Sequence, residues 1–346
     1  MKRALASLVA SAMLLFALAG CSNGNNPAEN PAASPTSPPA SSTHAAEPAT
    51  ISVGVPTAPP ALPVLHMMEA GLLGENVTID LNVWNSPEEL LAMVQGGEHD
   101  LYAFPLTVVS TLYNKGLDVR LMNVNTWGVT YFMTTDPAFE TWADLAGKTI
   151  YSTGKGTTPE YVLRYVLSEN GLDPDTDVTI EYFSESTEVV AQMTARGEGT
   201  IAMLPQPFVT TAQTQNENLR VALDITEEWE KLASANGSDA TLITGVVVGR
   251  KDFVEQNPQL VQEFLSQYEQ SVAYPQEDTV GAAALVGQYD IVPEAVAQKA
   301  LPECNITFIK GEEMQAKLSA YLQTLLDQNP KSIGGQLPGD DFYYLG

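Results

Sequence analysis

Shifted by one hundred positions, the chain matches itself. Ser52, Gly54, Thr57, Pro59, Glu69, Gly71 and Leu72 coincide with Ser152, Gly154, Thr157, Pro159, Glu169, Gly171 and Leu172. Further on, Ser86, Glu88, Met93, Gly97, Glu98 and Pro105 coincide with Ser186, Glu188, Met193, Gly197, Glu198 and Pro205, and "VTIDL" from Val77 pairs with "VTIEY" from Val178 after one extra residue. Each copy reads as a β-rich run, a turn, a helix closed by Gly-Leu, a second strand, a Ser-capped helix closed by Gly, and a third strand ending in Pro. Ser86-Pro87-Glu88-Glu89 is a capping-box pattern with proline at the first helical position. Strands alternating with helices predict parallel sheets with right-handed crossovers, and two copies predict two similar α/β lobes. The offset is too long for a solenoid repeat.

Ligands of open parallel sheets sit beyond the carboxyl ends of the strands. The loops there are Pro56-Thr57-Ala58 and Phe104-Pro105-Leu106-Thr107 in the first copy, and Gly154 to Thr158 and Leu204-Pro205-Gln206-Pro207 in the second. Between the copies, "NVNTWGVTYFMTTD" from Asn123 reads as a crossover. "TLITGVVVGR" from Thr241 reads as the return, with Pro258 opening a long helix after it. Two crossings make a hinge. The expected division is lobe 1 over 51–128 and 244–346 and lobe 2 over 129–243.

The stretch "DLAGKTIYSTGKGTTPEYVLRYVL" from Asp144 holds two Gly-Lys pairs. A phosphate-binding P-loop needs a glycine five positions before Gly147-Lys148-Thr149, where Trp142 stands, so that reading fails. Gly154-Lys155-Gly156 is followed by Thr157-Thr158-Pro159, with Thr158 expected as N-cap and Pro159 as the first helical residue. Such a loop aims unpaired N–H groups and a positive helix end at a ligand.

The N-terminus sets the expected compartment. Lys2 and Arg3 precede an uncharged apolar run from Ala4 to Ala19, the pattern of an export signal over 1–20 and too short to span a membrane. Leu18-Ala19-Gly20-Cys21 resembles a bacterial lipobox, which implies acylation of Cys21 and a lipid-anchored, extracytoplasmic protein. From 21 to 50 the chain is Asn, Pro, Ala, Ser and Thr with almost no bulky apolar residue, the composition of a disordered tether. A net charge of −26 lacks the basic footprint that nucleic acid requires. Cys304, the other of two cysteines, reads as a small buried hydrophobe near a strand. Three dispersed histidines give no zinc spacing, Asp173 to Asp177 lacks the glycine and glutamate of a calcium loop, and no catalytic serine elbow is present. No metal, cofactor or catalytic residue is expected.

Four stretches carry a resemblance to a family: "ADLAGKTIYSTGKGTTPEYVLRYVLSENGLDPDTDVTIEY", "TARGEGTIAMLPQPFVTTA", "GGEHDLYAFPLTVVSTLYNKG" and "IGGQLPGDDFYY". They look like the solute-binding proteins of ABC importers of the nitrate/sulfonate/taurine type, which share their fold with thiamine-precursor-binding proteins. The resemblance implies a type II periplasmic-binding-protein-like fold, two α/β lobes joined by two crossover segments. It also implies a monomer that closes on one small molecule and delivers it to an ABC permease with its ATPase. Relatives often carry Glu-Pro where this chain has Gln206-Pro207. Sulfonate- and nitrate-binding relatives present donors to an anion, a role open to Lys155, Thr157, Thr158 and the backbone of Gly154 and Gly156. Pyrimidine-binding relatives stack the ring on aromatics, for which Trp127 ranks first, Trp84 second and Tyr131 third. Pro56, Thr57, Phe104, Pro105, Leu106 and Gln206 complete the expected ligand set. The alternatives are a lipid-anchored sensor subunit and an enzyme resembling a eukaryotic pyrimidine synthase on the same fold, whose cysteine-rich signature Cys21 and Cys304 cannot supply.

Overall fold

A computed structural model describes residues 48–346, apart from Glu98 and Glu198. The expected signal segment, Cys21 and most of the expected tether lie outside the described residues. Eleven strands follow in chain order: β1 (Ala49–Pro56), β2 (Val77–Trp84), β3 (Leu101–Pro105), β4 (Val119–Trp127), β5 (Thr130–Thr134), β6 (Thr149–Thr153), β7 (Thr179–Phe183), β8 (Ile201–Pro205), β9 (Arg220–Asp224), β10 (Ile243–Arg250) and β11 (Ile306–Ile309). They form a six-stranded sheet in the order β11-β4-β10-β3-β1-β2 and a five-stranded sheet in the order β7-β6-β8-β5-β9.

The two sheets share one plan. β1 pairs in parallel with β2 and β3, and β6 with β7 and β8. Each sheet then takes one antiparallel strand from the far side of a crossing. β10 inserts between β3 and β4, and β5 between β8 and β9. The chain leaves the six-stranded sheet at Gly128-Val129 and returns to it at β10. The stretch from Asn123 to Asp136, read from sequence as one crossover, is therefore two strands in two sheets.

Helix ends follow the chemistry of their residues, with two shifts from expectation. The helices Leu62–Glu69 and Thr158–Glu169 close alike: the N–H of Leu72 donates to the Met67 carbonyl, and that of Leu172 to the Leu167 carbonyl, both at 3.0 Å. The Ser86 hydroxyl caps the helix Pro87–Gly96 by accepting from the Glu89 N–H at 3.2 Å. In the second copy the cap is Glu185, not Ser186, which lies inside the helix Ser186–Arg196. Thr157, not Thr158, is the N-cap of Thr158–Glu169, because Pro159 fits the second helical position as well as the first. His99, between the helix Pro87–Gly96 and β3, is buried, its Nδ1 3.1 Å from the Ser52 hydroxyl.

The core is not divided between the sheets. One contiguous apolar cluster takes Phe104, Val124 and Val246 from the six-stranded sheet, Phe132, Ile150 and Met203 from the five-stranded sheet, and Leu318, Tyr321 and Leu322 from the helix Gly311–Gln328. Through it runs an aromatic ladder. Tyr165 lies 4.5 Å from Trp229 between ring centroids, and Trp229 lies 5.0 Å from Tyr321. The opposite strand faces pack separately, Ile51, Val53 and Val55 against Phe264 and Tyr268, and Tyr151, Ala202 and Leu204 against Val189 and Met193. Each such fully buried large apolar side chain contributes about 1.5–3 kcal/mol relative to exposure.

Candidate functional site

The carboxyl ends of β1, β2, β3 and β8 converge on a cavity of about 190 Å³. Pro56, Ala58, Pro59, Pro60, Trp84, Ala103, Phe104 and Pro105 come from the six-stranded sheet and the loops after it. Pro205, Gln206 and Phe208 come from the end of β8. Asn125, Thr126, Val129, Thr244 and Gly245 come from the two crossings, and Cys304 lies just before β11. Both sheets and both crossings thus border one space.

Proline dominates the loops and removes donors from them. The remaining backbone donors of the first loop are occupied internally: the N–H of Thr57 donates to the Trp84 carbonyl at 2.9 Å, that of Ala58 to Pro56 at 2.8 Å, and that of Ala61 to Ala58 at 3.0 Å. The Gln206 N–H donates to Val129 at 2.9 Å. The side-chain oxygen of Gln206 turns back on its own helix, accepting from the Thr210 hydroxyl at 2.9 Å and the Thr210 N–H at 3.3 Å. What Gln206 has left to offer is its amide N–H₂.

Three further groups set the polarity of the walls. The Asn125 side-chain oxygen accepts from the Thr126 hydroxyl at 3.0 Å and its amide faces the Tyr268 hydroxyl, while the Trp84 indole N–H is buried without a hydrogen-bond partner. Gly245 lets β10 approach Asn125 closely, since a Cβ there would lie 2.5 Å from Asn125 Oδ1. Burial pushes the Cys304 thiol up to about 12, and it donates to the Ala300 carbonyl at 3.1 Å, so it lines the wall as a neutral group. Near Cys304, burial and the charges of Asp224 and Glu303 push the Tyr131 hydroxyl up to about 12.

The Gly154–Thr158 loop lies apart from this cavity. Its Gly156 N–H donates to the Glu160 carboxylate at 2.5 Å, and the Thr157 hydroxyl donates to the Gly154 carbonyl at 2.6 Å. Lys155 is exposed, with Nζ 5.9 Å from the centre of the Tyr182 ring. Thr158 is buried, and its hydroxyl lies 3.0 Å from that of Thr107, tying the helix Leu106–Asn114 to Thr158–Glu169. A larger groove of about 600 Å³ runs past Arg164 and Gln328, far from the strand ends, and the Arg164 charge there is paired with Asp175 at 2.7 Å.

Of the sequence-expected ligand residues, the structure gathers Pro56, Phe104, Pro105 and Gln206 around the cavity. Thr57 adjoins it, with its hydroxyl donating to Asn85 Oδ1 at 2.7 Å. Leu106 is fully buried in the shared core. Trp127 packs against that core with Lys317 Nζ 5.6 Å from its ring centre, and Trp84, ranked second as a stacking residue, is the tryptophan at the cavity. Sequence reasoning had no role for Asn125, Phe208, Thr244 or Gly245. For Asn125, Thr244 and Gly245 the available signal was their place in the two stretches read as crossings. Among the described residues, no group of three or more His, Cys, Asp or Glu could hold a metal ion, and no helix is long and apolar enough to cross a membrane.

Two α/β halves of matching topology, joined by two crossings and enclosing a cavity at their strand ends, define a solute-binding protein of the periplasmic-binding-protein type. The chain belongs to the family described as the periplasmic substrate-binding protein of phosphonate ABC transporters, whose model matches residues 61–292. It is a periplasmic substrate-binding protein of an ABC importer. No curated protein matches the sequence. Among solved structures it is similar to an ABC transporter protein from Parabacteroides distasonis (22% identity, TM-score 0.71, covering 85% of this chain and 98% of that one). It is also similar to the alkanesulfonate-binding protein SsuA from Xanthomonas axonopodis pv. citri bound to MOPS (20%, 0.65, 87% and 99%). The nitrate-binding protein NrtA from Synechocystis PCC 6803 is similar at 18% and 0.53, over 72% and 69%. At these identities the likeness is one of fold.

Proposed function

We propose that this substrate-binding protein is a monomeric lipoprotein, held at the membrane by acylated Cys21 and a tether up to residue 50. It captures one small molecule between lobe 1 (51–128 and 244–346) and lobe 2 (129–243) and delivers it to the permease. The observation that carries the reading is the cavity bordered by both sheets and both crossings. A molecule there contacts both lobes at once, and so favours the closed form by its differential affinity for it. The ligand classes in view are a sulfonate- or nitrate-like anion and a pyrimidine-like heterocycle.

Mass spectrometry of the solute released on denaturing the purified full-length protein tests the capture reading. Cargo at a hundred times its dissociation constant adds about 2.7 kcal/mol of stability, which a melting curve registers. Recovery of no solute, together with an unmoved melting curve across phosphonates, sulfonates, nitrate and pyrimidines, counts against it. Cys21→Ser tests the anchor, and the variant is expected to lose fatty-acid labelling and leave the membrane fraction.

A further inference from the structure

Resting on that receptor reading, we infer that the cavity takes an electroneutral, planar heterocycle bearing hydrogen-bond acceptors, and not an oxyanion. No Asp, Glu, Lys, Arg or His is among its lining residues. An oxyanion brought into such a space needs charge-assisted donors to replace its water. This site withholds them twice over. Pro56, Pro59, Pro60, Pro105 and Pro205 have no N–H to give, and the N–H groups of Thr57, Ala58, Ala61 and Gln206 are bonded within the chain. At the start of the helix Phe208–Gln215, the Thr210 N–H is taken by the Gln206 side-chain oxygen at 3.3 Å.

What the walls supply fits a neutral ring. Trp84, Phe104 and Phe208 offer aromatic faces. The unpartnered donor Trp84 Nε1 and the amide of Gln206 call for acceptor atoms such as ring nitrogens or an exocyclic carbonyl. Size agrees: an apolar cavity of about 150 Å³ holds a benzene ring, so 190 Å³ admits one six-membered ring with a small substituent. The field outside has the same bias, since Asp224, Glu303 and Glu227 surround Tyr131 beside Cys304 and the chain carries a net charge of −26.

The test is calorimetric titration of full-length protein, refolded from guanidinium so that no solute is carried over. The neutral probes are pyrimidine and pyridine-3-carboxamide. The anions are pyridine-3-carboxylate, methanesulfonate, methylphosphonate and nitrate. We expect pyridine-3-carboxamide to bind at least about ten-fold tighter than its carboxylate, and Trp84→Phe, which keeps a ring and removes the N–H, to weaken it about three- to ten-fold. An anion that binds tighter than the neutral probes, and loses affinity in Lys155→Ala, overturns the ligand class and leaves the receptor reading standing. Neutral binding unmoved by both Trp84→Phe and Gln206→Ala places the probe elsewhere and overturns the site as well. Absence of binding by every neutral probe at millimolar concentration also overturns the proposal.

Discussion

Gly245 and Tyr131 show how single positions set the character of the cavity. A methyl at Gly245 would meet Asn125 Oδ1 at 2.5 Å and Thr126 Oγ1 at 3.1 Å. Gly245→Ala is therefore expected to cost about 1–3 kcal/mol through overpacking, read as a lower urea midpoint. Tyr131 holds its proton to higher pH than a surface phenol. Burial raises its folded value to about 12 from the usual 10.0, so its contribution is complete below pH 10 and is lost as pH rises toward 12. Tyr131→Phe should flatten the alkaline loss of stability in that window, and the tyrosinate absorbance it removes should be one part of what appears late. Such details were only partly legible in the sequence. Thr157 and Thr158 can each cap a helix, and proline is at home at either of the next two positions, so local chemistry could not separate them. The real distinction is tertiary, since the Thr158 hydroxyl meets Thr107 across the lobes.

The two crossings are bolted together. The Gly128 N–H donates to the Leu242 carbonyl at 2.9 Å, and the Gly128 carbonyl accepts from Asn305 Nδ2 at 2.7 Å. Asn305 holds this bond from a left-handed backbone, φ 45°. Asn305→Ala removes the bond and places a less tolerant residue in that conformation, with an expected cost of about 1–3 kcal/mol. A denaturant titration should show a lower midpoint at unchanged slope. Gly128 itself has no room for a side chain, since a Cβ would lie 2.2 Å from Thr226 Oγ1. The exchange of Trp127 for Trp84 at the cavity also belongs to this scale. β4 carries register shifts against β10, and each irregularity moves side chains to the other face, so alternation read along Asn123 to Trp127 could not say where Trp127 points.

At the scale of the molecule, the offset of one hundred foretold two sheets of one plan, because turn and cap residues that recur in order must build the same local units. It could not foretell the shared core. Trp229, Tyr165 and Tyr321 lie far apart in sequence, and nothing local says that their rings meet. Because one apolar cluster spans both sheets, the described chain is expected to unfold in one cooperative step, with far-ultraviolet dichroism and tryptophan fluorescence giving the same midpoint. Trp229→Ala should lower that midpoint in both signals together, at a cost of about 3–5 kcal/mol. Two separated transitions would contradict it.

The ladder of Tyr165, Trp229 and Tyr321 has a mechanical consequence. Trp229 is the rung that reaches across, from the helix Ile225–Ala235 to Tyr321 on Gly311–Gln328, so any parting of these two helices must first pull that tilted pair of rings apart. A contact outside the cavity lining would then bear on how readily cargo leaves.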